Sequence, residues 1–282
     1  RIGMSRDCQA QFLREQIAEY ETLVLDHEET RPSRRGGRSL LKQLETQLAR
    51  LEAKLKDLMA EGKKDDSLVF DELGIDHIFY DEAAAVKNMA TPSKMERVAG
   101  IQTGGSQRAF DMFMKCRYLD EQHPGHGVTF ATGTPVSNSM VELYTLQRYL
   151  DPRGLEERGL AHFDAWAASF GEVIETMEIS PDGRTLRPRS RFAKFTNLPE
   201  LLQMFRSFAD VKTAAQLTLP RPAIQDGKPR VIACPMDEAQ RMLQDGLVER
   251  YEKIRNGQVK PWEDNALAVT TDGRKLALSP RL

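Results

Sequence analysis

The chain has 282 residues, of which 40% are hydrophobic and 29% are charged, with a formal net charge of −2. These values are ordinary for a folded protein with a proper core, and they exclude a protein that binds nucleic acid through a large overall positive charge. The three cysteines, Cys8, Cys116 and Cys234, lie too far apart for a metal-binding pair and predict a reduced, cytoplasmic setting. No apolar run is long enough to cross a bilayer.

The first 66 residues predict a helical hairpin. Leucines recur at alternating intervals of three and four residues, which is typical of a coiled-coil seam. They are Leu41, Leu44, Leu48, Leu51, Leu55 and Leu58. A second apolar stripe runs through residues 13–24, and an arginine- and glycine-rich connector at residues 31–38 separates the two stripes. We therefore expect two antiparallel helices with a basic tip, whose arginines either contact phosphates or form an ordinary solvated loop.

Alternating strands and helices follow the hairpin. Residues 77–80 and 127–132 are short apolar runs typical of buried parallel strands, and residues 106–122 and 140–150 are typical of helices. Strand, helix, strand, helix predicts an α/β sheet with right-handed crossovers.

The remaining elements are predicted from shorter patterns. Residues 160–170 and 198–208 predict helices, the first with Trp166 and Phe170 in the core, and residues 173–195 predict a β-hairpin turning at 181–183. Residues 230–234 predict a strand, and residues 237–255 predict a helix.

Two acids, Asp81 and Glu82, directly follow the first predicted strand. Ligands of open α/β sheets bind beyond the carboxyl ends of the strands. One acid there can hold Mg²⁺ through water, and the other can orient the water that attacks a phosphate. Alternatively, Asp81 caps the next helix and Glu82 favours its N-terminal dipole. The pair alone leaves both interpretations open.

A second motif, Ala-Thr-Gly-Thr-Pro-Val-Ser-Asn at residues 131–138, follows the second predicted strand. Its candidate functional residues are Thr132, Gly133, Thr134, Pro135 and Asn138. The threonine hydroxyls can bond backbone or neighbouring acids, the glycine permits a tight turn, and the proline fixes the path of the chain. Taken alone, the motif is more typical of a strand-to-helix turn capped by Ser137 or Asn138.

Five further residues are weaker candidates for nucleic-acid contact. They are Lys87, Asn88, Gly104, Gly105 and Ser106. The first two can position the acidic loop, approach the DNA backbone, or simply be exposed. The last three can bring backbone amides near a phosphate or merely start the next helix.

Residues 81–88, Asp-Glu-Ala-Ala-Ala-Val-Lys-Asn, resemble motif II of the superfamily-two motors, and within them most closely that of the SWI/SNF-type translocases. Residues 131–138 resemble motif III of the same group, in the same order and with a helix between the two motifs. The resemblance covers residues 68–282. The hairpin and residues 272–278 are also similar to very large phage- and plasmid-borne helicase/DNA-methyltransferase proteins.

The resemblance implies a fold, a site and partners. The fold is a partial RecA-like P-loop NTPase lobe, with a parallel sheet, flanking helices and an inserted antiparallel helical hairpin. Its domains would be the hairpin at 1–66, the C-terminal part of the first helicase lobe at 67–215, and a linker with the start of the second lobe at 216–282. ATP and Mg²⁺ are the implied cofactors, with Asp81 holding the metal through water and Glu82 catalytic. Double-stranded DNA is the implied partner, together with a fused or associated DNA methyltransferase.

The sequence departs from the family pattern at two points. It contains no Gly-x-x-x-x-Gly-Lys-[Ser/Thr] loop, and Ala84 stands where the family usually has histidine. We therefore expect a fragment of a longer ATP-dependent DNA helicase or translocase that is inactive alone. The alternative is a non-catalytic α/β scaffold or protein-interaction module derived from a helicase.

Overall fold

The computed structural model describes residues 2–30, 35–60, 68–95, 98, 100–101, 105–137, 139–179, 186–217, 220, 223–224 and 227–279. These residues form a mixed α/β protein with a small parallel sheet and a separate two-stranded hairpin. They divide into two compact units. The first unit comprises Arg1–Glu175 and Ser190–Val211, and the second comprises Thr176–Arg189 and Lys212–Leu282. No described helix is both long and apolar enough to cross a membrane.

The first unit begins with two long helices, α1 (Arg6–Thr30) and α2 (Arg35–Ala60). Their leucine-rich faces pack together in an apolar cluster formed by Tyr20, Leu23, Leu40 and Leu44, with Leu48 and Leu51 partly buried against it. The helices are those that the two apolar stripes predict. The side chains of the predicted basic tip lie outside the described part of the chain.

The parallel sheet pairs β1 (Ile78–Tyr80) with β2 (Val128–Phe130), with Tyr80 opposite Phe130. One face packs against a core built around α3 (Gln107–Gln122). On the other face, Phe79 is 79% exposed. The prediction that both strands are buried is therefore wrong for one face, because no described element covers it.

The core beneath the sheet joins the sheet to the helical hairpin. Phe12 of α1 makes edge-on contacts with the rings of Phe110 and Phe113 on α3, at centroid distances of 5.3 and 5.4 Å. Tyr149, on α4 (Val141–Leu150), packs against Phe113 at 5.3 Å. Helix α1 thus contributes side chains to the same core that packs against β1 and β2. The predicted boundary between residues 66 and 67 stays a prediction.

A second core lies where α4 meets three further helices. These are α5 (Pro152–Glu157), α6 (Phe163–Phe170) and α7 (Leu198–Phe208). Trp166 and Phe170 are fully buried in this core, as predicted. Sequence patterns missed α5, a single short turn that Asp151 caps by accepting a hydrogen bond from the Gly154 amide.

The predicted β-hairpin is present as β3 (Gly171–Ile179) and β4 (Leu186–Phe195), which pair with each other. Its predicted turn, at residues 181–183, lies outside the described residues. Lys194 and Glu172 form an ion pair across the two strands, with a distance of 2.6 Å between Nζ and Oε2.

Two helices form the described body of the second unit, α8 (Glu238–Arg255) and α9 (Ala266–Leu278). Asp237 caps α8 by accepting a hydrogen bond from the Gln240 amide at 2.7 Å. Arg250 clamps the pair by donating to Asp264 and Asp272, each at 2.8 Å. The two carboxylates raise the pKa of Arg250, so the clamp keeps its charge at any physiological pH.

The strand predicted at residues 230–234 does not form. This segment lies outside any helix or strand, and Val231 is 88% exposed. A strand needs a neighbour to satisfy its backbone groups, and no described strand lies beside this segment. The apolar run alone therefore gave a wrong prediction.

Candidate functional site

The two motifs lie at the same edge of the parallel sheet. Asp81 follows β1 and Thr132 follows β2 by two residues, and both strands point in the same direction. The backbone pairing continues past the strands, because the Ala131 amide donates to Tyr80 O and the Ala83 amide donates to Ala131 O, each at 2.9 Å. The acidic motif and the threonine turn are therefore held side by side by backbone hydrogen bonds.

Asp81 and Glu82 occupy an exposed and tightly bent stretch of backbone. One oxygen of Asp81 accepts a hydrogen bond from the adjacent Glu82 amide at 2.9 Å. Glu82 has φ 57° and ψ 48°, a left-handed conformation that costs a residue with a side chain about 1–2 kcal/mol. Such strain persists where the surrounding structure enforces it and is common at functional sites.

The alternative role of Asp81 as a helix cap finds no support in the geometry. The element that follows, at Ala83–Val86, is a single 3₁₀ turn without a side-chain cap. The carboxylate of Asp81 bonds its neighbour's amide instead of an amide of that turn.

The donor set fits a hydrated magnesium ion better than a closed metal cage. Among the described residues, no group of three or more His, Cys, Asp or Glu side chains could hold a metal. Mg²⁺ does not require one, because it keeps several waters and takes one or two carboxylates together with phosphate oxygens. Asp81 and Glu82 are both exposed, and neither forms an ion pair with another described residue.

The second motif is a tight turn closed by its own threonine. Thr132 Oγ1 accepts a hydrogen bond from the Thr134 amide at 3.1 Å, across Gly133. Pro135 follows, partly buried, and the next helix begins at Val141 after Met140. Ser139 contributes to that start, since its hydroxyl accepts from the Val141 amide at 3.2 Å. Asn138 lies outside the described residues.

Lys87 ties the two motifs together. Its ammonium group donates to Thr134 O at 2.7 Å, to Ser137 Oγ at 3.1 Å and to Glu142 Oε2 at 2.9 Å. The side chains of Lys87 and Glu142 are only 6% and 13% exposed. The ammonium group of Lys87 is thus bonded to three groups inside the protein, and the choice among the roles considered for Lys87 stays a prediction.

Glu142 is a neighbour of the candidate site that the sequence pattern did not single out. Besides Lys87, its carboxylate accepts a hydrogen bond from the Ser137 amide at 2.6 Å. The threonine turn is therefore anchored both from the acidic motif and from the first turn of α4. Removing one partner of a buried ion pair costs about 3–5 kcal/mol. An acid in the first turn of a helix was the available signal, but nothing in the sequence shows which lysine it meets.

The glycine-serine candidates belong to a helix start. The Ser106 amide donates to Asn88 O at 2.8 Å, and its hydroxyl accepts from the Ala109 amide at 3.1 Å as the cap of α3. A Cβ at Gly105 would lie 2.5 Å from the Ala90 amide nitrogen, so only glycine fits there. Asn88 itself is exposed, and Gly104 lies outside the described residues. The Ser106 amide is thus already used within the protein.

Comparisons with known proteins support a relationship to helicases, but they do not test the finer resemblance to SWI/SNF-type translocases. Residues 1–213 match the family described as a probable helicase domain. The chain is also similar to the protein named Defense against restriction protein B of Escherichia phage P1, with 26% identity over 193 residues. That match covers 66% of this chain and 8% of the phage protein. No solved structure matches the chain, so the RecA-like lobe stays a prediction. Neither match bears on the predicted methyltransferase.

Proposed function

We propose that this chain, which belongs to the probable helicase domain family, carries the acidic motif and the threonine turn of an ATP-driven motor that moves on DNA. The observation that supports it best is the placement of Asp81, Glu82 and the 132–135 turn at one edge of two paired parallel strands. Ligands of α/β sheets bind at such an edge. The finer assignment is to a SWI/SNF-type motor built on a RecA-like lobe.

Each acid has a distinct role in this proposal. Asp81 would hold Mg²⁺ through water. The bound metal ion would offset the negative charge of the ATP phosphates. Glu82 orients the water that attacks the terminal phosphate and accepts its proton. The exposure of both side chains leaves room for a nucleotide beside them.

Coupling between the nucleotide site and DNA movement is assigned to the threonine turn and to Lys87. The family's usual histidine is replaced by the partly buried Ala84, which has no polar group to reach the turn. Lys87, three residues later, bonds Thr134 O and so supplies a link between the two motifs.

The phosphate-cradling loop has to come from outside these 282 residues, because the sequence contains no Gly-x-x-x-x-Gly-Lys-[Ser/Thr]. The chain spans 8% of the phage relative that it matches. We therefore place the activity in a longer protein, in which residues 67–215 contribute to the first motor lobe and residues 216–282 begin the second.

The experiment that tests the proposal is Glu82→Gln in that longer protein. The amide keeps the shape but cannot accept the proton, so DNA-stimulated ATP turnover should fall by about 100-fold or more while Mg·ATP affinity stays nearly constant. Glu157→Gln, at an exposed position of α5, is the matched control and should leave both unchanged.

The scaffold alternative makes the opposite prediction. If the acids are inert, Glu82→Gln and Glu157→Gln will be indistinguishable from the unchanged protein in ATP turnover and in displacement of a DNA triplex. That result would remove the motor proposal.

A further inference from the structure

A groove separates the helical hairpin from the segment that follows the acidic motif. It consists of two adjoining cavities of about 170 and 160 Å³, which share Tyr20 and Gln47 in their walls. We call it the hairpin groove. One side is formed by α1 and α2, and the other by residues 89–95, Val98, Ile101 and the start of α3. All of its walls belong to the first unit.

The junction of the two cavities carries unused hydrogen-bonding groups. Tyr20 is only 4% exposed, and its hydroxyl has no hydrogen-bond partner among the described residues. Burial raises the pKa of Tyr20 to about 12, so the group is a neutral donor at physiological pH. The Gln47 amide beside it also lacks a described partner. Both groups are reachable from the cavities, so each can form a hydrogen bond with a ligand that enters the groove.

The outer cavity carries a positive charge without a counter-ion. Lys54 lines it, with Nζ 3.9 Å from the centre of the Phe110 ring. No described carboxylate forms an ion pair with Lys54, and burial lowers the pKa of its ammonium group. A partly dehydrated cation without an acid favours an anionic ligand. Among the residues that the structure describes, no acidic side chain lines either cavity.

The inner cavity is largely apolar. Its described lining includes Leu40, Leu44, Met95, Val98 and Ile101. A flat, weakly polar group suits such walls, with hydrogen bonds at its edge supplied by Tyr20 and Gln47 at the junction. The groove therefore has a positive charge at one end (Lys54) and hydrogen-bonding groups in the middle (Tyr20 and Gln47). Its other end is lined mainly by apolar side chains.

We propose that the hairpin groove holds one unpaired nucleotide of a single-stranded nucleic acid, with its phosphate on Lys54 and its base in the apolar cavity beside Tyr20. A duplex cannot enter cavities of this size, whereas one unstacked nucleotide has the required sequence of phosphate, sugar and base. The helicase family gives the groove a nucleic-acid context. The inference deepens the proposed function, but it does not rest on ATP hydrolysis.

The test uses the 282-residue chain and a labelled oligothymidylate about 12 nucleotides long, followed by fluorescence anisotropy over a series of salt concentrations. Lys54→Met keeps the aliphatic stem over Phe110 and should weaken binding about tenfold at low salt. It should also reduce the slope of log K against log salt by about 0.7, the value for one phosphate contact on a single strand. Tyr20→Phe should weaken binding about threefold without a change of slope.

Matched controls separate the groove from general charge. Lys56→Met removes an exposed lysine two residues further along α2 and should leave the slope unchanged. An oligonucleotide with abasic sites should bind the unchanged chain more weakly, because the apolar cavity remains empty. If Lys54→Met unfolds the chain, Gln47→Leu at the junction replaces it and should weaken binding about threefold.

Three results would overturn the proposal. The first is that the unchanged chain binds no single-stranded oligonucleotide. The second is that Lys54→Met and Lys56→Met have the same effect. The third is that a polyglutamate peptide of equal charge competes as well as the oligonucleotide, which would make the groove a site for acidic protein segments. A longer protein that fails to hydrolyse ATP would leave the measurement unaffected.

Discussion

Asp81 and Glu82 illustrate which candidate functional residues a sequence can reveal. Their position directly after an apolar strand is visible in the sequence, and the structure places them at the carboxyl ends of two parallel strands, the general position of ligand sites in open α/β sheets. The contact between Lys87 and Glu142 is not visible, because 55 residues separate the two. Only the fold brings them together, so sequence reasoning could consider Lys87 without finding its partner.

The first prediction at the residue scale concerns Asp81. In the longer protein, Asp81→Ala deletes a carboxylate from the proposed Mg²⁺ shell, so the affinity for ATP in the presence of Mg²⁺ should fall about tenfold. The affinity measured in the presence of EDTA should be unchanged. Titration of a fluorescent ATP analogue under both conditions provides the measurement. Equal losses with and without Mg²⁺ would show that Asp81 acts on the nucleotide or the fold and not through the metal.

The second prediction concerns the link between the motifs. Lys87 bonds the carbonyl of Thr134, so Thr134→Ala leaves this hydrogen bond in place while Lys87→Met removes it. Lys87→Met should destabilise the 282-residue chain by about 3 kcal/mol, because the largely buried carboxylate of Glu142 loses its ion pair with Lys87. In the longer protein it should lower the DNA displacement per ATP hydrolysed by about tenfold.

Lys115→Met is the control for that loss of an ion pair. Lys115 and Asp111 form a pair of comparable burial on α3, with 2.9 Å between Nζ and Oδ2, away from both motifs. The Lys115→Met substitution should lower the stability of the protein without changing the DNA displacement per ATP hydrolysed. If Lys87→Met is too unstable to study, Glu142→Gln keeps the hydrogen-bonding shape and removes only the charge. If DNA displacement per ATP is unchanged in both Glu142→Gln and Lys87→Met, the contacts of Lys87 serve only to stabilise the fold.

At the scale of elements, a predicted strand forms only where another strand lies beside it to pair with its backbone. Residues 78–80 and 128–130 pair with each other and form the predicted parallel sheet. Residues 230–234 have a similar apolar pattern but no described partner, and they form no strand. Helices satisfy their own backbone, so the predictions for α3, α7 and α8 agree with the structure within a residue or two. Periodicity therefore fixes helices locally, whereas strands need information from elsewhere in the chain.

The bare face of the parallel sheet leads to a prediction of its own. Parallel sheets are normally covered on both faces, yet Phe79 is 79% exposed. We expect Phe79→Ser to change the free energy of unfolding of the 282-residue chain by less than about 0.5 kcal/mol, the usual range for surface substitutions. In the longer protein, where a further segment would cover this face, the same change should cost about 2 kcal/mol.

Phe113→Ala provides the reference for that comparison. Phe113 is buried on the opposite side of the sheet, so its loss should cost about 3 kcal/mol or more in both proteins. Denaturant unfolding of the two variants in each background gives the four values. A neutral Phe79→Ser in the longer protein would mean that solvent, and not another segment, is the natural neighbour of this face.

At the scale of the whole molecule, the cores indicate how the parts depend on each other. Phe12 of α1 lies in the core that supports the parallel sheet, so the hairpin and the sheet belong to one unit. Sequence patterns predicted the hairpin and the sheet but could not predict this shared core, because nothing in a heptad shows what its outer face meets. In the second unit no described residue from 212 to 279 is buried, and the Arg250 clamp holds α8 to α9.

The final prediction is that the purified 282-residue chain hydrolyses ATP no faster than a blank, with or without DNA. The acids that would hold the metal and the water are present and exposed. However, no Gly-x-x-x-x-Gly-Lys-[Ser/Thr] loop is available to fix the phosphates. Positioning contributes most of phosphoryl-transfer catalysis, on the order of 7–11 kcal/mol for well-oriented groups, and two carboxylates alone cannot replace it. Release of inorganic phosphate is measured beside a Glu82→Gln chain purified in parallel, which carries the same contaminants. A DNA-stimulated rate that disappears in Glu82→Gln would show that these residues already contain a complete nucleotide site.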